Sequence, residues 1–201
     1  MKHGFTPCDT AEMEGNDVAF SIPVHSNEWT VDDLDQFPES HLRIELHDGS
    51  LVVSPSPALP HQVVTTQLIL ALAPLVKPHL VIIDTDLVMS PTSLRRPDVA
   101  VIDPSALRAG HPRLVPEDVA LAVEIVSPSS RATDRLIKPA EYAAAGIPGY
   151  WRIELEPDLR MFAYRLEGDS YAEIGSWGRG DTAELADPLP VTIEVSALEA
   201  A

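Results

Sequence analysis

The chain has 201 residues, 45% of them hydrophobic, and its 31 acids against 14 Lys and Arg give a formal charge of −17. That length suits one domain with a substantial core, and that charge argues against a protein that coats nucleic acid, because non-specific phosphate binding depends on clustered bases. The single cysteine, Cys8, excludes an internal disulfide and a cysteine-zinc cluster, and the absence of any run of about 18 apolar residues or of an apolar signal segment leads to the expectation of a soluble cytoplasmic protein without membrane contact.

The acidity sits at the two ends. Residues 1–50 carry eleven acids and two bases, residues 51–150 nine and eight, and residues 151–201 eleven and four. The nearly neutral middle holds Arg95, Arg96, Arg108, Arg113, Arg131, Arg135 and Lys138, enough for a locally basic cleft in an acidic protein. A solvated acidic surface is the simpler reading of the ends.

In chain order, residues 1–26 lack periodicity and are expected to be a poorly ordered leader, followed by a single domain over 27–201. Thr30 caps a short helix from Val31 with acids in its first turn, and Pro38 ends it. Arg43-Ile44-Glu45-Leu46 and Ser50-Leu51-Val52-Val53 form a hairpin around His47-Asp48-Gly49, since Asp-Gly tolerates the positive φ angles of a tight turn. After the break Ser54-Pro55-Ser56-Pro57, the spacing of Val64, Leu68, Ala71, Leu72 and Leu75 predicts an amphipathic helix over 61–76, perturbed near Pro74. Three β-branched or apolar runs, 80–89, 98–102 and 119–126, predict the central strands. An alanine-rich helix is expected over 134–145, with Pro139 near its first turn or marking its true start, stopped by Gly146 and Pro148, and residues 150–155, 159–166 and 171–174 read as an antiparallel meander that can support a homodimer.

Two acids lie on otherwise apolar strands: Asp98 in Pro97-Asp98-Val99-Ala100-Val101, and Glu124 in Ala122-Val123-Glu124-Ile125-Val126. A carboxylate cannot ionise in a dry core without a partner, so each needs a sheet end, a counter-charge or a metal, and magnesium is a hard ion held by a few carboxylates plus waters. Either acid alone reads equally well as a satisfied strand-end residue; the pair favours a metal site. Lys138 is one of only three lysines. Its ammonium can hold an attacking water or neutralise charge on a phosphoryl oxygen, although a surface lysine paired with Asp134 or Glu141 is the plainer alternative.

The segments 43–49, 54–57 with His61-Gln62, Arg96-Pro97-Asp98-Val99, 123–129, Asp134 with Lys138 and Tyr142, and Gly146-Ile147-Pro148 with Tyr150-Trp151 together resemble, in order, the Uma-type family of restriction endonucleases, a bacterial branch of the PD-(D/E)XK nuclease superfamily. The resemblance runs from about residue 28 to 166. It implies a restriction-endonuclease-like α/β fold, a mixed central sheet flanked by helices with an N-terminal hairpin and a C-terminal meander. It also implies Asp98 and Glu124 as ligands of Mg2+ or Mn2+, with the Ile125 carbonyl as a further ligand. Catalytic residues on this reading are Glu45, Asp98, Glu124 and Lys138. The superfamily's usual lysine falls at Val126 here, and Lys138 fits as its displaced equivalent. His61 stands where a family histidine reaches phosphate, or is simply a helix-start histidine; Arg95 and Arg96 touch backbone phosphate or decorate a turn. Tyr142, Tyr150 and Trp151 read as core or rim aromatics rather than base-stacking platforms.

The expected activity is phosphodiester hydrolysis of nucleic acid, DNA before RNA. Two alternatives stay open: a catalytically silent binding module on the nuclease fold, and a metal-dependent hydrolase of another phosphate ester.

Overall fold

The computed structural model of the protein describes residues 28–37 and 42–199. The expected leader over 1–26, and Pro38 with its helix-ending role, lie outside the described residues. A short helix α1 (Val31–Leu34) leads into the hairpin β1 (Arg43–His47) and β2 (Ser50–Ser54), then the long helix α2 (Leu59–Leu72). Four short strands follow, β3 (Leu80–Ile82), β4 (Leu87–Ser90), β5 (Ser93–Arg95) and β6 (Val99–Ile102), then α3 (Ala106–Ala109) and the central strand β7 (Val119–Val126). A π-helical turn (Thr133–Ile137) runs into α4 (Lys138–Ala144), followed by β8 (Gly149–Glu154), β9 (Arg160–Glu167), β10 (Ser170–Gly178), and a last hairpin, β11 (Thr182–Leu185) and β12 (Val191–Glu194). Among the described residues no helix is long and apolar enough to cross a membrane.

The backbone of the fold is a six-stranded mixed sheet in the order β10-β9-β8-β7-β6-β3, in which only β7 and β8 run parallel. A parallel pair needs a crossover, and the π-turn with α4 provides it. β7 is buried almost throughout, and its apolar side chains serve two cores. One core packs Val99, Val101, Leu121, Val123 and Trp151 against Val64, Leu68 and Leu72 of α2 and the last hairpin; the other packs Ala100, Ala122 and Tyr150 against Tyr142 and Ile147. The expected mixed α/β architecture is therefore the observed one, and the antiparallel meander is β8-β9-β10.

A second sheet, β2-β1-β5-β4, is antiparallel and carries the N-terminal hairpin. Its turn residues Asp48 and Gly49 take φ of 44° and 74°, as the Asp-Gly signal requires.

Three expectations are corrected. Residues 80–89 are not one strand, because Asp84 adopts φ 51° and turns the chain, sending β3 to the six-stranded sheet and β4 to the other. The long helix stops at Leu72, before Pro74, whose ring nitrogen has no hydrogen to continue the ladder; Leu75 thus falls outside the helix and is exposed. The helix expected over 134–145 opens as a π-turn and becomes α-helical only at Lys138, so of the two placements expected for Pro139 the structure has the one in which it marks the true start.

Gly149 begins β8 where the Cβ of any other residue would lie 2.4 Å from Pro188 Cγ, in the loop of the last hairpin, and 3.2 Å from Leu121 Cδ1. Gly149→Ala should therefore push the last hairpin off the sheet and cost about 1–3 kcal/mol of stability, read as a lowered urea midpoint.

Candidate active site

Antiparallel pairing of β6 with β7 sets Val99 opposite Val123, and one step further Asp98 faces Glu124. The two acids thus share the face of Ala100 and Ala122, at distances cross-strand side chains can bridge. Both are nearly removed from solvent, at 8% and 1% exposure. Asp98 is held from three directions: Arg43 Nη1 donates to Oδ1 (2.7 Å), while His61 Nε2 (3.0 Å) and the Ile125 backbone N–H (2.8 Å) donate to Oδ2. Burial opposes its ionisation, but the His61 hydrogen bond and the Arg43 charge hold its carboxyl well below the usual range.

Glu124 sits differently. Lys138 Nζ donates to Oε2 (2.7 Å) and Tyr142 Oη donates to Oε1 (2.7 Å). Burial pushes its carboxyl up to about 8, Lys138 opposes that, and Asp98 and Asp134 add to it. Two facing acids are thereby set apart, one firmly ionised and one close to neutral-pH titration.

The lysine arrives by way of the π-turn. The Lys138 N–H bonds back to Thr133 O, five residues earlier, and this wide turn brings Asp134 and Lys138 to the same side. Tyr150 Oη donates to the Asp134 carbonyl and pins the turn to β8. Lys138 Nζ also lies 3.4 Å from Asp134 Oδ1 and 3.6 Å from Glu45 Oε1, so three acids surround one ammonium. Burial works to lower the Lys138 pKa, but Glu124, Glu45 and Asp134 hold it above its ordinary value. Val126, two residues beyond Glu124 on β7, is buried.

The second sheet supplies the remaining wall. Glu45, on β1, is buried and accepts from Arg43 Nε (3.3 Å), Arg95 Nη1 (3.3 Å) and the Arg96 backbone N–H (3.2 Å). Burial opposes its ionisation, yet Lys138, Arg43 and Arg95 keep its carboxyl below the ordinary range. Arg95 is not a turn decoration. It is buried and forms a bidentate pair with Glu141 of α4 (2.6 and 2.8 Å), which ties the second sheet to the helix that carries Lys138.

Glu45, Asp98, Glu124 and Lys138 therefore fall in one ion-pair cluster. His61 joins them through Asp98. Tyr142, Tyr150 and Trp151 are all buried, as core aromatics. Sequence reasoning gave Arg43 no role and offered Asp134 or Glu141 only as a partner of a surface lysine; Lys138 is buried, Asp134 does lie beside it, and Glu141 pairs with Arg95 instead. Arg43 had a signal: apart from Lys2 it is the only Lys or Arg in the first fifty residues, and it lies two positions before Glu45 on the same strand face.

A cleft of about 540 Å³ opens onto Asp98 between the N-terminal half of α2 and the second sheet. Arg43 and Arg96 line it with Asp84, His61, Gln62, Thr65 and apolar Ile69 and Ile83, so its walls mix charged, polar and apolar groups around Asp98. Among the described residues no group of three or more His, Cys, Asp and Glu converges as a ready metal cage. Two facing carboxylates completed by waters nevertheless suit magnesium. The local charge balance leans the same way: Glu45, Asp98, Glu124, Asp134 and Glu141 meet three permanent cations, Arg43, Arg95 and Lys138, with His61 on Asp98 and His47 on Glu141. A cluster with more acids than permanent cations fits an added cation.

No curated protein sequence matches the chain. The crystal structure of "a putative nuclease belonging to DUF820" from Anabaena variabilis ATCC 29413 superposes with a TM-score of 0.65 at 17% identity, covering 84% of this chain and 96% of that one, a likeness of fold. The family model Uma2, described as "Putative restriction endonuclease", matches residues 31–199, a span that takes in both sheets and every residue of the cluster. On that match, the chain belongs to the Uma2 family.

Proposed function

We propose that this protein is a metal-dependent endonuclease that hydrolyses phosphodiester bonds of nucleic acid, with DNA as its first substrate and Mg2+ or Mn2+ held by Asp98 and Glu124. One observation carries the reading: Lys138 Nζ stands 2.7 Å from Glu124, which itself faces Asp98 across the β6–β7 ladder, and a cleft opens onto Asp98. A lysine, two acids and an access route are the parts that hydrolysis by a positioned water needs. Membership of a family described as restriction endonucleases supports DNA as the substrate.

A divalent ion bound there would acidify a water and polarise the phosphate. The chain's own residues do the rest. Lys138 places a fixed positive charge beside Glu124, where it holds the attacking water and offsets charge that grows on the phosphoryl oxygens. Tyr142 fixes the second oxygen of Glu124, and His61 with the Ile125 N–H fixes Oδ2 of Asp98, so neither carboxylate swings out of place. Glu45 shares Lys138 with Glu124 and keeps the ammonium charged.

Wild-type protein with Mg2+ or Mn2+ should nick plasmid or cut labelled oligonucleotides, and Glu124→Gln and Lys138→Met should each lower the rate on the order of 10²–10³-fold. Equal cleavage by wild type and Glu124→Gln would discard the reading.

Metal binding should also depend on pH. Burial pushes the Glu124 carboxyl up to about 8 and a metal takes only the carboxylate, so Mn2+ affinity should rise as pH climbs toward 8 and level off above it. Calorimetry in buffers of different ionisation enthalpy should find a proton released on Mn2+ binding at pH 7 and none in Glu124→Gln.

A further inference from the structure

We propose that Arg43 is a catalytic residue that exchanges partners: it holds Asp98 while the site waits, then turns one guanidinium edge to a non-bridging oxygen of the scissile phosphate. The inference rests on the phosphodiester reading above and assigns a residue to it. Three observations lead to Arg43. It lines the cleft directly beside Asp98. Two of its three nitrogens are engaged, Nε on Glu45 (3.3 Å) and Nη1 on Asp98 (2.7 Å). The third, Nη2, is buried, lies 3.3 Å from Glu45 Oε1 without hydrogen-bond geometry, and has no hydrogen-bond partner.

A buried guanidinium nitrogen without an acceptor costs free energy that a phosphate oxygen would recover, and arginine's planar fork matches phosphate geometry. The other cations near the cluster are committed elsewhere. Arg95 is buried in its bidentate pair with Glu141, Arg96 is paired with Asp84 and Asp86, and Lys138 is enclosed by three acids. Among the described residues, Arg43 is the cation that combines a position on the cleft wall, contact with a proposed metal ligand and a donor with no hydrogen-bond acceptor. It also occupies Asp98 Oδ1 electrostatically, so a metal and Arg43 compete for the same carboxylate.

That competition separates this role from a structural one. In Arg43→Met, Mn2+ affinity measured by calorimetry should rise, by on the order of fivefold, because a positive charge has left Asp98. In the same variant the single-turnover cleavage rate should fall on the order of 10²–10³-fold. Binding of a short labelled oligonucleotide with Ca2+ in place of Mg2+ should weaken, and Arg43→Lys should restore part of that binding but little of the rate, having charge without the fork. A merely structural arginine would, on removal, weaken metal and oligonucleotide binding together; that result, or a rate within twofold of wild type, overturns the proposal. If wild type cleaves no nucleic acid, the nuclease reading fails by itself. The Arg43 role then stands only if inorganic phosphate binding, followed by calorimetry on the whole chain, is lost in Arg43→Met, and it falls if phosphate binding is unchanged.

Discussion

Everything in this fold answers to one constraint: Glu124 is a carboxylate buried at the centre of the main sheet, and it needs partners there. An ionised group taken from water costs several kcal/mol unless charge and hydrogen bonds replace the solvent. Lys138 and Tyr142 provide both, and each reaches Glu124 only because the β7–β8 crossover passes directly over it as the π-turn and α4. Asp98 doubles the constraint from the neighbouring strand. Its needs recruit Arg43 from β1 and His61 from α2, so the second sheet and the long helix are drawn to the same point. The ion pairs follow from the two acids rather than decorating a finished scaffold.

The second sheet meets the main sheet and α4 through charge on its hairpin side and apolar packing on the other. Arg43 to Asp98 joins sheet to sheet, Lys138 to Glu45 and Arg95 to Glu141 join α4 to the second sheet, and Leu87 of β4 enters the core of Ala100 and Ile102. A wall held by charges responds to charge: a phosphate or a cation in the cleft changes the partners available to Arg43 and Asp98, whereas a neutral ligand would not.

Much of this was legible in the sequence, for physical reasons that differ by element. β7 announced itself as a run over 119–126 that is apolar but for Glu124, because a strand buried on both faces has no polar alternation to confuse the pattern. The Asp48-Gly49 turn was equally plain, since few other dipeptides accept two positive φ angles. The two strand acids stood out by cost alone. What failed was anything set by long-range pairing. Residues 80–89 look like one strand because Asp84 gives no advance notice of its left-handed turn, and β5 and the last hairpin are too short to carry a signal. The Arg95–Glu141 clamp spans 46 residues of sequence, and neither residue is unusual where it stands.

The placement of the lysine on a helix rather than on β7 has a mechanical consequence. A lysine at position 126 would be as rigid as the central strand, but Lys138 rides on a seven-residue helix entered through a π-turn and anchored by Tyr142, Ala143 and the Arg95–Glu141 pair. Short helices of this kind open locally at far lower free energy than a central strand unpairs. Amide hydrogens of α4 should therefore exchange with solvent through excursions that leave the sheet intact, and each such excursion would take Lys138 off Glu124 and admit water to a carboxylate that is otherwise dry.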